Sequence, residues 1–236
     1  MRPMISTLPL VAALAACGGG GNATDRADPA PDVSVSDAQV MADLKSSNID
    51  FLPTNRPAGT WHWPSTPAQH IPVLVTPPTA GNATEQDYAA KTQTAITTIN
   101  RRLTGLLVLD AVTVAPASGN YIHVTYGTSY VPPGSSDYQS YCANVATAPG
   151  VGNPIQPGSD NGIASRPVHV NLGNGHCDVT QAIVTHEFGH ALGLATHFAG
   201  FGNDGPESAF WDVLSTLYAN PAGTPAGNVL IRRAAR

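Results

Sequence analysis

Charge is scarce in this 236-residue chain, where Asp, Glu, Lys and Arg together make up 11%. The formal net charge is −5, and nowhere do lysines or arginines run together long enough to track a phosphate backbone. Nucleic-acid binding is therefore not expected. Cysteine is sparse too, with three residues and none in a CxxC pair, which argues against a cysteine metal site. Methionine stops at Met41, and glutamate occurs only at Glu85, Glu187 and Glu207. Low charge does not signal disorder here, because hydrophobic residues account for 42% of the chain. The 23 glycines and 21 prolines point to a loop-rich, exported domain. The length suits one domain with a proper core and is short for two.

The N-terminal stretch is apolar but brief. Arg2 supplies a positive charge, and Ile5 to Ala16 is too short to persist as a bilayer-spanning helix. Leu14-Ala15-Ala16-Cys17 resembles the lipobox of bacterial lipoproteins. That resemblance implies a signal peptide over residues 1–16 and lipidation of Cys17. With Gly18 rather than Asp next, it also implies an outer-membrane lipoprotein, periplasmic or surface-exposed. Several acyl chains make such an anchor stable where one is marginal. Residues 17–36, with four consecutive glycines, read as a flexible linker, leaving 37–236 as the domain. In an oxidising compartment Cys142 and Cys177 form an even pair, so a disulfide is expected. Two buried thiols or metal ligation are the alternatives.

Periodicity predicts an α+β fold with a mixed sheet. A short helix is expected within Asp37 to Pro53, with Val40, Leu44 and Phe51 apolar. His70 to Val75 reads as a strand. Thr84 to Leu103 is a helix, capped by Thr84 with Asp87 three residues on, its stripe formed by Tyr88, Ala95, Ile96, Ile99 and Leu103. Leu106 to Val114 and Tyr121 to Tyr126 are strands. Pro132 to Asp160 reads as irregular. Ser165 to Leu172 is a strand whose Pro167 suits a sheet edge. A second long helix starts near an N-cap at Asp178 and stops at Gly193, and a small irregular C-terminal subdomain follows.

That second helix carries His186-Glu187-Phe188-Gly189-His190, an HExxH motif. Residues four apart on a helix lie on one face, about 5–6 Å between Cβ atoms, so both imidazoles can address one ion. Zinc suits imidazole ligands, and Glu187 is placed to act on a metal-bound water instead of ligating. The motif points to a zinc hydrolase with His186 and His190 as ligands and Glu187 as general base.

His186, Glu187, His190 and Gly193 resemble the HExxHxxGxxH pattern of the metzincin clan of zinc endopeptidases, matrixins included. The resemblance implies a zincin-like fold, a peptide or protein substrate, a Zn²⁺ cofactor and a monomer. It departs from the clan at two places. Thr196 stands where the third His belongs, and His197 follows one residue later. No Met remains for the turn beneath the metal, and Leu214 or Leu217 are candidates for that role, with Tyr218 a candidate for the tyrosine some members place beside it. His197 is the expected third ligand, with Glu207 or Asp204 as substitutes.

His62, His70, His123 and His169 read as ordinary polar residues, and His176 as a candidate partner to the ligands. Phe198 to Phe210 reads as part of the cleft or as a structural loop. The alternative function is a catalytically inactive zincin-fold lipoprotein acting as a binding or adhesion module.

Overall fold

Among the described residues the first regular element follows Ser36, whose own backbone is extended. Its side chain accepts from the backbone N–H of Gln39, and α1 runs over Asp37–Leu44. α1 continues without a break into a π-helical turn, Lys45–Ile49. The computed structural model describes residues 35–51, 58–63, 69–164, 166–202 and 205–236. The signal, Cys17 and nearly all of the linker lie outside the described residues.

Five strands form one mixed sheet in the order β2-β1-β3-β5-β4: β1 Gln69–Val75, β2 Leu107–Val112, β3 Ile122–Tyr126, β4 Ala143–Ala146 and β5 Val168–Leu172. The first four in that spatial order run parallel, and β4 pairs antiparallel to β5 at the edge. Alternate residues of the strands, Ile71, Val73, Leu107, Leu109, Ile122 and Val124 among them, are buried in the core. The long helix α2, Ala83–Arg102, packs against the sheet and against α3, Gln181–Ala191, which carries the HExxH residues. α4, Ser208–Ala219, packs against α1.

Several expectations are corrected. The cap of α2 is Asn82, which accepts from Glu85, so the helix opens before Thr84. An Asn side chain is a better cap than Thr. The expected stripe is buried, joined by Thr92, whose hydroxyl bonds back to the Tyr88 carbonyl. β5 is not an edge strand. It lies between β3 and β4 with all five residues buried, and Pro167 precedes the strand, so its missing N–H removes nothing from the ladder. The edge is β4, within the stretch expected to be irregular, where a four-residue strand (Ala143, Asn144, Val145, Ala146) leaves no readable alternation.

The C-terminal part is not irregular either. α4 buries ten of its twelve residues, Ala209 to Tyr218, the polar Asp212, Ser215 and Thr216 as well as the apolar Phe210, Val213, Leu214 and Leu217 at helical spacing. Its one buried carboxylate, Asp212, accepts from Arg233, Arg236 and the Ala234 N–H, which ties the C-terminus down. HExxH therefore sits on the third of four α-helices among the described residues, and only α2, at 20 residues, is long.

Candidate metal centre

α3 begins at Thr180, whose hydroxyl accepts from the Ile183 N–H, and not at Asp178. Its residues Val184 to Gly189 are buried, which places His186 and Glu187 inside the protein. Gly189 is required by its neighbours. A Cβ there would stand 2.5 Å from the Phe210 ring and 2.9 Å from that of Phe201. The helix stops as expected at Gly193, which takes a left-handed φ of 110°.

The turn after Gly193 absorbs the extra residue. Thr196, at the position expected of a ligand, donates its hydroxyl to the Ser46 carbonyl. His197 then swings back under the helix. The Nε2 atoms of His186, His190 and His197 form a near-equilateral triangle with sides of 3.0, 3.1 and 3.0 Å. Among the described residues this is the one group of three or more His, Cys, Asp or Glu side chains placed to share an ion. The expected third member is thus His197. Glu207 stands outside the group at the N-cap of α4, and Asp204 lies outside the described residues.

The donor set fits a tetrahedral ion. Three nitrogens at about 2.0–2.1 Å from a shared zinc stand about 3.3 Å apart, within a few tenths of an ångström of the triangle found. His190 Nδ1 lies 2.5 Å from the Leu194 carbonyl. A carbonyl only accepts, so Nδ1 carries the proton and Nε2 presents a bare lone pair to the centre of the triangle. His186 Nδ1 is buried and lies near the Gly202 backbone without reaching hydrogen-bond geometry.

Burial dominates the electrostatics. It pushes His186 down to about 3, with His190 and His197 adding to the effect, and His190 down to about 4. His197 is lowered for the same reason. All three are neutral imidazoles near pH 7, the form that binds metal. Glu187, 6% exposed, is pushed up to about 8 by burial. A cation beside it would pull that value back toward the carboxylate range.

The cluster and Glu187 open into a cleft of about 270 Å³ whose far wall is the edge strand, through Ala143, Asn144 and Val145. A larger cavity, about 610 Å³, lies between the start of α2 and the turn after β5, and none of the HExxH residues lines it. His176 belongs there, its ring on Tyr138 at 4.1 Å, so it does not support the ligands.

Sequence reasoning missed the floor of the site. Phe201, fully buried, packs its ring against His186, His190 and His197 with centroids 4.4, 4.8 and 5.5 Å away. It belongs to a two-residue strand, β6, Phe201–Gly202, which pairs with β7, Gly205–Pro206. Leu214 and Leu217 are buried in α4 instead, and Tyr218 donates to the Leu192 carbonyl with its ring on His62. The segment Phe198 to Phe210 is therefore structural at its aromatic positions. The remaining histidines stay out of the cluster: His70 bonds Asp110, His62 sits between the carbonyls of Trp63 and Asn220, and His123 faces His169 across β3 and β5. Cys142 and Cys177 are joined in a disulfide that ties the approach to β4 to the turn before α3. No family model matches the chain, and no curated protein matches it.

Proposed function

We propose that this chain is a zinc-dependent endopeptidase with a zincin-like, metzincin-related catalytic domain. The observation that carries the proposal is the convergence of three imidazole Nε2 atoms, 3.0–3.1 Å apart, in an open cleft that also holds a buried glutamate. His186, His190 and His197 would hold the ion. A zinc ion there supplies a Lewis acid and lowers the pKa of a bound water to about 7.

The chain's own residues do the rest. Glu187 takes the proton of the attacking water and returns it to the leaving amine. Burial raises this carboxyl and a cation beside it lowers it, and the balance of the two keeps Glu187 able to accept a proton and give it back near neutral pH. β4, at the edge of the sheet and on the cleft wall, offers its outward backbone groups to an extended peptide, which would be held as an added strand across the histidines. Ile155 and Pro154 give the same cleft an apolar side, which favours a peptide over a highly charged ligand. Lipidation at Cys17 would display this domain from the outer membrane on the linker of residues 17–36.

The test is Glu187→Gln in the full chain, assayed against a denatured-protein substrate. Peptide hydrolysis should fall by at least about 10²-fold, the range a positioned general base contributes, with zinc content unchanged. Retained turnover in that variant would sink the mechanism. Absence of turnover in the wild type, with zinc bound, would favour the inactive binding module.

A further inference from the structure

The C-terminal end of α3 is gripped from outside. Its last carbonyls have no partners within the helix, as at any helix end. Trp63 Nε1 donates to the Ala191 carbonyl at 2.8 Å, Tyr218 to that of Leu192 at 3.0 Å, and Asn48 Nδ2 to that of Gly193 at 2.8 Å. Asn48 is fully buried and 145 residues away in sequence. Its amide also donates to the Trp61 carbonyl at 2.7 Å and accepts from the Trp61 N–H at 3.0 Å. An aspartate of the same size lacks both N–H donors.

The two residues before Asn48 hold the rest of the same turn. The Ser47 carbonyl accepts from the Ala195 N–H at 2.6 Å, and the Ser46 carbonyl from the Thr196 hydroxyl at 2.8 Å. These carbonyls are available to the turn because the π-helical segment ends at Ile49. Asp50 N–H reaches back five residues to Lys45, and the carbonyls that follow Lys45 are left for other partners.

Residues 193–196 connect His190 to His197, and within them Leu194 supplies the carbonyl that fixes the His190 tautomer. We infer that Ser46, Ser47 and Asn48, in the π-helical turn that follows α1, are positioning residues for the metal ligands His190 and His197. By drawing Thr196 onto the Ser46 carbonyl, this segment turns the residue at the expected ligand position away and sends His197 into the cluster one place later. The inference rests on the metal-binding reading of the three histidines and extends the site to a segment that touches no ligand atom.

The test measures zinc affinity by chelator competition and the visible absorption of the cobalt(II)-loaded full chain, in wild type, Asn48→Asp and Thr196→Val. Melting curves establish that each variant is folded. Loss of a partner that orients a ligand typically weakens metal binding by 10–100-fold. Asn48→Asp should show a loss in that range with an altered cobalt spectrum. Thr196→Val, which removes one hydroxyl and little volume, should lose about 3–10-fold with the same spectral direction. Wild-type affinity and spectrum in a folded Asn48→Asp would overturn the inference. Should that variant fail to fold, Thr196→Val decides, and its identity with wild type overturns it equally. Wild-type protein that takes up neither metal would instead bring down the metal-binding reading, a different result from metal bound equally well by all three chains.

Discussion

Removal of the Phe201 ring tests whether the aromatic floor is what holds the histidine triangle. The side chain is fully buried and its ring contacts three imidazoles together with Phe198 and Phe210, at 5.4 and 5.1 Å. Phe→Ala in a packed core costs about 3–5 kcal/mol, against a total stability of about 5–15 kcal/mol. For a domain of this size each kcal/mol moves the melting temperature by about 2–4 °C, so Phe201→Ala should melt on the order of 10 °C lower in the chelator-stripped protein. His186 would suffer most at the site, since its Nδ1 has no full hydrogen bond and the ring beneath is its main restraint. The rise in melting temperature on adding zinc should shrink accordingly, because that rise scales with the logarithm of zinc concentration over Kd. Phe201→Leu keeps most of the volume and should cost about 1–1.5 kcal/mol. Thermal melts with and without zinc measure both quantities. A stripped Phe201→Ala protein within about 1 kcal/mol of wild type would refute the assignment of Phe201 as the floor.

Replacing Cys142 and Cys177 together with Ser opens a loop closed across 35 residues and should lower stability by about 3–4 kcal/mol on the chain-entropy estimate. An unchanged denaturation midpoint would contradict it. Burial holds His123 and His169 below the ordinary histidine value, with His123 adding to the effect at His169. The unfolded chain therefore binds more protons below about pH 6.5, so stability should fall with pH from there and be indifferent to these groups above it. The limiting slope is about 1.4 kcal/mol per pH unit for each group, less for the more exposed His123. His169→Gln should flatten the fall of urea midpoints below about pH 6.5, and an unaltered slope would refute the assignment. Cys17→Ser should move the chain from the membrane fraction to the soluble one without changing its turnover, and continued membrane association would overturn lipidation as the anchor.

The parts of the fold that were legible in the sequence are those with one solvent face. α2 announces itself because Tyr88, Ala95, Ile96 and Ile99 recur at helical spacing against a polar remainder. α4 carries the same spacing in Phe210, Val213, Leu214 and Leu217, and what the sequence does not show is that its polar face, Asp212, Ser215 and Thr216, is buried as well. β4 was invisible for a different reason: it is only four residues long and its identity comes from pairing with β5, a partner more than twenty residues away. At the site, His186 and His190 were readable because their spacing is local. His197 followed from chemistry, since Thr196 is a poor ligand and a turn after Gly193 has room to bulge. What makes that bulge hold its shape lies in Ser46, Ser47 and Asn48, and no local pattern connects those residues to a turn 145 positions away. Phe201 was hidden in the same way, as one aromatic among several in a loop, and only the packing singles it out.

Zinc restoration is the most direct test of a three-histidine zinc peptidase. The purified full chain is stripped with a chelator, its peptide-hydrolysing activity measured, and zinc returned in steps with bound metal counted at each. Activity should be absent in the stripped protein and return in proportion to bound zinc, saturating at about one ion per chain. His197→Ala should neither retain the ion at that concentration nor regain activity. Full hydrolysis by the stripped chain, or a His197→Ala protein that binds zinc and cleaves like wild type, would contradict it.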